Sequence, residues 1–109
     1  MDPSTATVTR WPHARPFTSQ AAEERMKSER LSYYRWSNRP GDVYPAHDHP
    51  YHKVIFVLKG SIIFGLPATD EQITLNAGDR LDLPAGIAHN AVVGRRGVVC
   101  LEGHRRSHR

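Results

Sequence analysis

At 109 residues the chain has room for one domain with one hydrophobic core, and not for two. Its 39% apolar and 24% charged content is that of an ordinary globular protein, which excludes a disordered or fibrous chain. The net charge of +4 gathers at the ends, notably in HRRSHR (104–109), with no basic face or reading element, so nucleic-acid binding is not expected.

A single cysteine, Cys100, rules out an internal disulfide, and its setting, VVCLE, reads as a buried strand position. Nothing approaches a membrane span, and the first 30 residues hold no apolar run long enough for a signal peptide. The cytoplasm is therefore the expected compartment, with no membrane partner.

Residues 1–17, MDPSTATVTRWPHARPF, carry Pro3, Pro12 and Pro16 without a sustained period and read as an extended arm. The next segment, TSQAAEERMKSERL, predicts a helix over 18–30, capped by Thr18 or Ser19. Glu23 and Glu24 fall towards its start and Lys27 and Arg30 towards its end, the order the helix dipole favours. Ala22, Met26 and Leu31 form a thin apolar stripe, enough to lie on a larger body but not to be a core.

From Leu31 the texture changes to strands. LSYYRWS alternates imperfectly, and NRPGD after it is a turn. KVIFVL (53–58) is a short apolar run rich in β-branched residues, closed by Lys59-Gly60, with SIIFGL as its expected hairpin partner. PATDEQ is the next turn and ITL a short strand; NAGDRLDLPAGIAHNAVV reads as turn, strand, tight turn, strand. A turn at GRRG then precedes a last strand, VVCLEGH. Short strands at intervals of about 8 to 12 residues mean a sandwich or small barrel. In KVIFVL both faces are apolar: Ile55 and Val57 on one, Val54, Phe56 and Leu58 on the other. The second face needs cover from the helix, the arm or another copy, and a homodimer is the expectation.

Three histidines, His47, His49 and His52, fall within AHDHPYH just before that run. On a strand, His47 and His49 would share one face about 7 Å apart at Cα, a spacing that lets two imidazoles converge on one ion. A second segment, GDRLDLPAGIAHN (78–90), adds Gly78, Pro84, Gly86 and His89. Five residues separate Gly41 from His47, and Gly60 follows; in the second segment five residues separate Gly78 from Pro84, with Gly86 and His89 in step.

These two segments resemble the two halves of the cupin signature, and the resemblance spans roughly residues 31–104. It implies an all-β fold, a jelly-roll barrel of two antiparallel sheets preceded by the short helix, with a basic tail at 105–109. It further implies that His47, His49 and His89 bind one divalent transition-metal ion, iron, zinc, nickel, manganese or copper. Three nitrogen ligands with open positions describe a catalytic rather than a closed structural centre.

Two positions depart from the family pattern: Lys53 stands where it has Glu, and Val93 where it often has Asn. Three accounts of Lys53 follow. The centre uses three histidines only; or His52 joins as a fourth ligand, against strand parity but with Pro50 to disturb it; or the metal has been lost. Glu102 is the candidate ion-pair partner of Lys53, although Lys53 in the mouth would also attract an anionic substrate. Tyr44 and Tyr51 flank the histidines as pocket candidates, His104 is expected at the rim, and His52 is the one nominee for a general base. The resemblance implies a metal-dependent dioxygenase or isomerase acting on a small polar molecule, or a non-catalytic module that senses a small ligand or metal. Whether the chain is an enzyme stays open at this point.

Overall fold

Alternating apolar residues between turn-forming glycines give seven strands and one helix in the computed structural model, which describes residues 5–12 and 14–106. In chain order these are β1 (Thr7–Thr9), α1 (Ser19–Ser28), β2 (Tyr33–Asn38), β3 (Val43–His47), β4 (Tyr51–Leu66), β5 (Glu71–Asn76), β6 (Arg80–Leu83) and β7 (His89–Arg106). Every pairing is antiparallel. No helix among the described residues is long and apolar enough to cross a membrane.

Two strands, β4 and β7, belong to both layers. Residues 51–57 of β4 lie between β6 and the second half of β7, giving a layer in the order β1-β6-β4-β7-β2. Residues 61–66 lie between β5 and the first half of β7, which also carries β3. The result is a jelly roll whose two antiparallel layers join through bends in shared strands, as one hydrogen-bonded network of seven strands.

Those bends replace two expected turns. KVIFVL and SIIFGL are not hairpin partners but consecutive halves of β4, and GRRG lies inside β7. The register shifts between Val57 and Lys59 and again between Gly60 and Ile62. Gly60 and Gly97 both have φ 79, and a Cβ on Gly60 would stand 2.0 Å from the Gly97 carbonyl oxygen, so only glycine lets the two backbones meet at this corner. Side-chain parity inverts across it: Ile55 and Val57 face the core before the bend, Ile62, Phe64 and Leu66 after it. Leu75, Leu81, Leu83, Val98 and Cys100 complete that core. Burial first, and then the Glu102 carboxylate, push the Cys100 thiol up to about 12.

The opposite face of β4 is covered by the helix. Val54, Phe56 and Leu101 pack against Ala22, Met26 and Leu31, with Ala22 and Met26 fully buried. Thr18 caps α1 by accepting from the Ala21 amide at 3.0 Å. At the other end the Leu31 and Arg30 amides donate to the Met26 and Lys27 carbonyls, both at 2.9 Å, with Arg30 left-handed at φ 59. Arg25 and Lys27 occupy the last turn as the dipole favours, but Glu23 and Glu24 fall beyond the first. The apolar face that suggested a homodimer is thus met within the chain.

Charged side chains fasten this arrangement. Glu29, at the helix end, accepts from Arg80 at 2.5 and 2.9 Å and from Arg105 at 3.2 Å. Arg105 and Arg106, assigned to the tail, belong to β7; residues 107–109 lie outside the described residues. Within the amino-terminal arm, Thr7–Thr9 pairs with β6 as an edge strand, and Arg10 Nη1 donates to Asp79 Oδ2 at 2.5 Å.

Candidate metal centre

The three motif histidines come together from three places. His47 closes β3 and sits in register with His89, the first residue of β7. His49 lies in the connection before β4, so a bend rather than a shared strand face joins it to His47. The tight turn after β6 locks this connection: the Gly86 amide donates to the His49 carbonyl at 2.8 Å, with Gly86 at φ 84. Each histidine offers a ring nitrogen, and these three atoms lie within 4.8 Å of one another.

Hydrogen bonding fixes which nitrogen each ring presents. His47 Nδ1–H donates to the Pro45 carbonyl at 2.7 Å, and His89 Nδ1–H to the Ile87 carbonyl at 2.9 Å. Both rings therefore leave Nε2 unprotonated, a state in which it can bind a metal. His49 Nε2 lies 3.3 Å from the Lys53 ammonium and must accept from it, which leaves Nδ1–H to donate to the Tyr51 hydroxyl at 3.0 Å. Burial, then the Lys53 ammonium and the other two histidines, lower His49 to about 4. Burial also lowers His89, and its Nε2 is a buried polar atom without a partner. A buried orphaned lone pair beside two further imidazoles is what a cation would satisfy, so these residues fit a metal ion.

The histidines line a cavity of about 280 Å³. Ile55, Ile62, Phe64 and Ala91 form its apolar wall, and Tyr34, Trp36, Tyr44, Tyr51, Lys53 and Glu102 the rest. Lys53 is 9% exposed and its Nζ stands 3.6 Å from Glu102 Oε2, the pairing expected from the sequence. Glu102 also accepts from Tyr34 at 2.8 Å, Trp36 Nε1 at 2.9 Å and His104 Nε2 at 2.6 Å. Burial alone would raise the Glu102 carboxyl, but Lys53 and the hydrogen bonds outweigh it and hold the group below its usual range. Tyr51 stacks between His49 and His104, with ring centroids 4.8 and 4.0 Å away. Burial raises Tyr44 and Tyr51, which stay protonated donors at neutral pH.

His52 is not brought to this group. With Val54 and Phe56 it takes the outer parity of β4, and its Nε2 meets Asp82 Oδ1 at 3.1 Å. Pro50 does not disturb the alternation, because β4 begins after it at Tyr51. The sequence motifs singled out neither Tyr34 nor Trp36 and set His104 at the rim. All three donate to Glu102, and the available signal was the pairing of β2 with β7, which sets Tyr34 opposite Glu102 and Trp36 opposite Cys100.

A family model described as Cupin domain matches residues 34–104. No curated protein matches the sequence. Solved structures similar to the chain include DMSP lyase DddQ from Ruegeria pomeroyi DSS-3, at 28% identity and TM-score 0.62, over 69% of this chain and 38% of that one. KdgF from Halomonas sp. is 25% identical at TM-score 0.57 over 71% of each chain. A cupin-2 domain containing protein from Shewanella frigidimarina NCIMB 400 is 19% identical at TM-score 0.59, over 70% of this chain and 71% of that one.

Proposed function

The chain belongs to the cupin family, and from that premise we propose that it holds one divalent transition-metal ion on His47, His49 and His89 and transforms a small polar molecule in the adjoining cavity. The observation that carries this is the convergence of three histidine ring nitrogens within 4.8 Å of one another, beside a His89 Nε2 that is buried and unpartnered. When bound, the ion supplies a Lewis acid that polarises a carbonyl or similar oxygen.

Of the two reaction types that the resemblance implies, the lining favours proton transfer, as in an isomerase or lyase, over oxygenation. The cavity is rich in groups that hold protons at defined atoms. Tyr51 presents a hydroxyl donor, the Tyr44 hydroxyl donates to Asn38 Oδ1, and Lys53 and His104 both meet Glu102 at Oε2. Glu102 is the one carboxylate among the described residues that line the cavity, and the Lys53 and His104 protons directed at its Oε2 hold it ionised. Ile55, Ile62, Phe64 and Ala91 keep water from the inner wall, which strengthens these interactions. The likeness to a structure named as a lyase, DddQ, supports the same choice.

Metal analysis by mass spectrometry on untagged protein, beside His89→Ala, tests the centre. We expect close to one ion per chain in the parent and little in the variant. Hydrogen–deuterium exchange at the α-carbon of small keto acids, followed by NMR, tests the chemistry. Oxygen uptake without such exchange would favour the dioxygenase instead.

A further inference from the structure

An ammonium aimed at one of the proposed ligands calls for a role. Lys53 Nζ lies 3.3 Å from His49 Nε2 and 3.6 Å from Glu102 Oε2, nearly sealed from solvent. A neutral imidazole has one unprotonated nitrogen with one in-plane lone pair. At His49 that lone pair accepts from Lys53, and a metal ion needs the same one. The two cations are therefore mutually exclusive on His49. His47 and His89 have no such competitor, since the described residues occupy only their Nδ1 atoms.

Glu102 gives Lys53 somewhere to withdraw. Its Oε2 is the second acceptor within reach of Nζ, and Tyr34, Trp36 and His104 hold the carboxylate in place. Metal loading then costs the Lys53–His49 hydrogen bond together with the repulsion between an ammonium and a dication. That cost is common to all divalent ions, so it leaves their order unchanged and lowers every affinity. Ions that bind imidazole strongly still load, whereas manganese, lowest in the divalent series, does not at the same concentration.

Resting on the metal reading above, we propose that Lys53 is an internal competitor for His49 that sets an affinity threshold, admitting zinc, nickel or copper and turning away manganese. The experiment takes chelator-stripped, untagged parent, Lys53→Met, Lys53→Gln and Lys53→Arg. Zinc affinity is read by competition with a chromophoric chelator, and manganese binding by loss of the free-ion electron paramagnetic resonance signal. Both neutral variants should bind zinc about ten- to a hundredfold more tightly, the range over which a neighbouring like charge shifts an equilibrium. They should also gain manganese binding, while Lys53→Arg stays near the parent. Melting curves identify any variant that fails to fold, and the glutamine variant keeps a polar end beside Glu102 if methionine is not tolerated there. Equal zinc affinity in the parent and the folded neutral variants would overturn the competitor role and leave the metal centre standing. Absence of zinc binding from all four would overturn the metal reading, and the threshold with it.

Discussion

The two faces of β4 carry nearly the same ingredients and put them to different ends. Outside, His52, Asp82, Arg80, Glu29 and Arg105 form a chain in which each charge meets an opposite one. Arg80 also lies 5.5 Å over the Phe56 ring, so the network and the helix contact act together. Inside, Lys53 leans on an imidazole as well as on Glu102, and His89 Nε2 has no partner. A satisfied polar network holds structure; one left short by a lone pair is built to receive something. The histidine that belongs to the centre is thus told from the one that does not by what each still lacks.

Variants on either face break or sharpen this contrast. The largest effect is expected of His89→Ala, which should abolish most metal retention and, once both proteins are stripped of metal, melt close to the parent. A parent that retains no more metal than the variant would erase the difference between the faces. Met26→Ala should act in the opposite sense, costing about 2 to 5 kcal/mol of stability in a chemical denaturation series, as for other buried Met-to-Ala changes. Its metal content, measured on the folded fraction, should equal the parent's.

A smaller effect comes from Glu29→Gln. Hydrogen bonds from Arg80, against partial burial, hold the Glu29 carboxyl below its ordinary 4.5. A group depressed in the folded state stabilises above its unfolded value, and that contribution is lost as pH falls through the folded one. Parent stability should therefore drop on acidification below about 4.5 more steeply than that of Glu29→Gln. At neutral pH the variant should be about 1 kcal/mol less stable, on the scale of a partly exposed ion pair. Parallel acid limbs would remove Glu29 from the account. The smallest change is expected of His52→Gln, which should cost under about 1 kcal/mol and leave metal content unaltered. A fall in metal content there would restore His52 as a ligand.

Much of the candidate centre was legible because its histidines keep fixed spacing from the glycines and proline that turn the chain towards them. The grouping of His47, His49 and His89 was readable on that ground, and Lys53 beside Glu102 from the strand placement that the resemblance implies. The bends were not. Gly60 and Gly97 have the positive φ of a hairpin turn, and the same glycine serves a strand that merely changes layer, so local sequence cannot separate the two. Only the pairing of β4 with β7 on both sides of the corner shows that the strands continue. The three residues of β1 were too few to show a period, and they are a strand because the edge of β6 offers hydrogen bonds. His52 was ambiguous because Pro50 made the starting parity of β4 unreadable, and that parity decides the face.

Cys100 gives the barrel a clock. It lies fully buried where β4 and β7 pair, and its thiol is pushed up to about 12. A thiol in that setting reacts with an alkylating reagent only when those strands part, because the thiolate is the nucleophile. Labelling of the native protein therefore times how often the spine shared by both layers opens, with no probe added to the sequence.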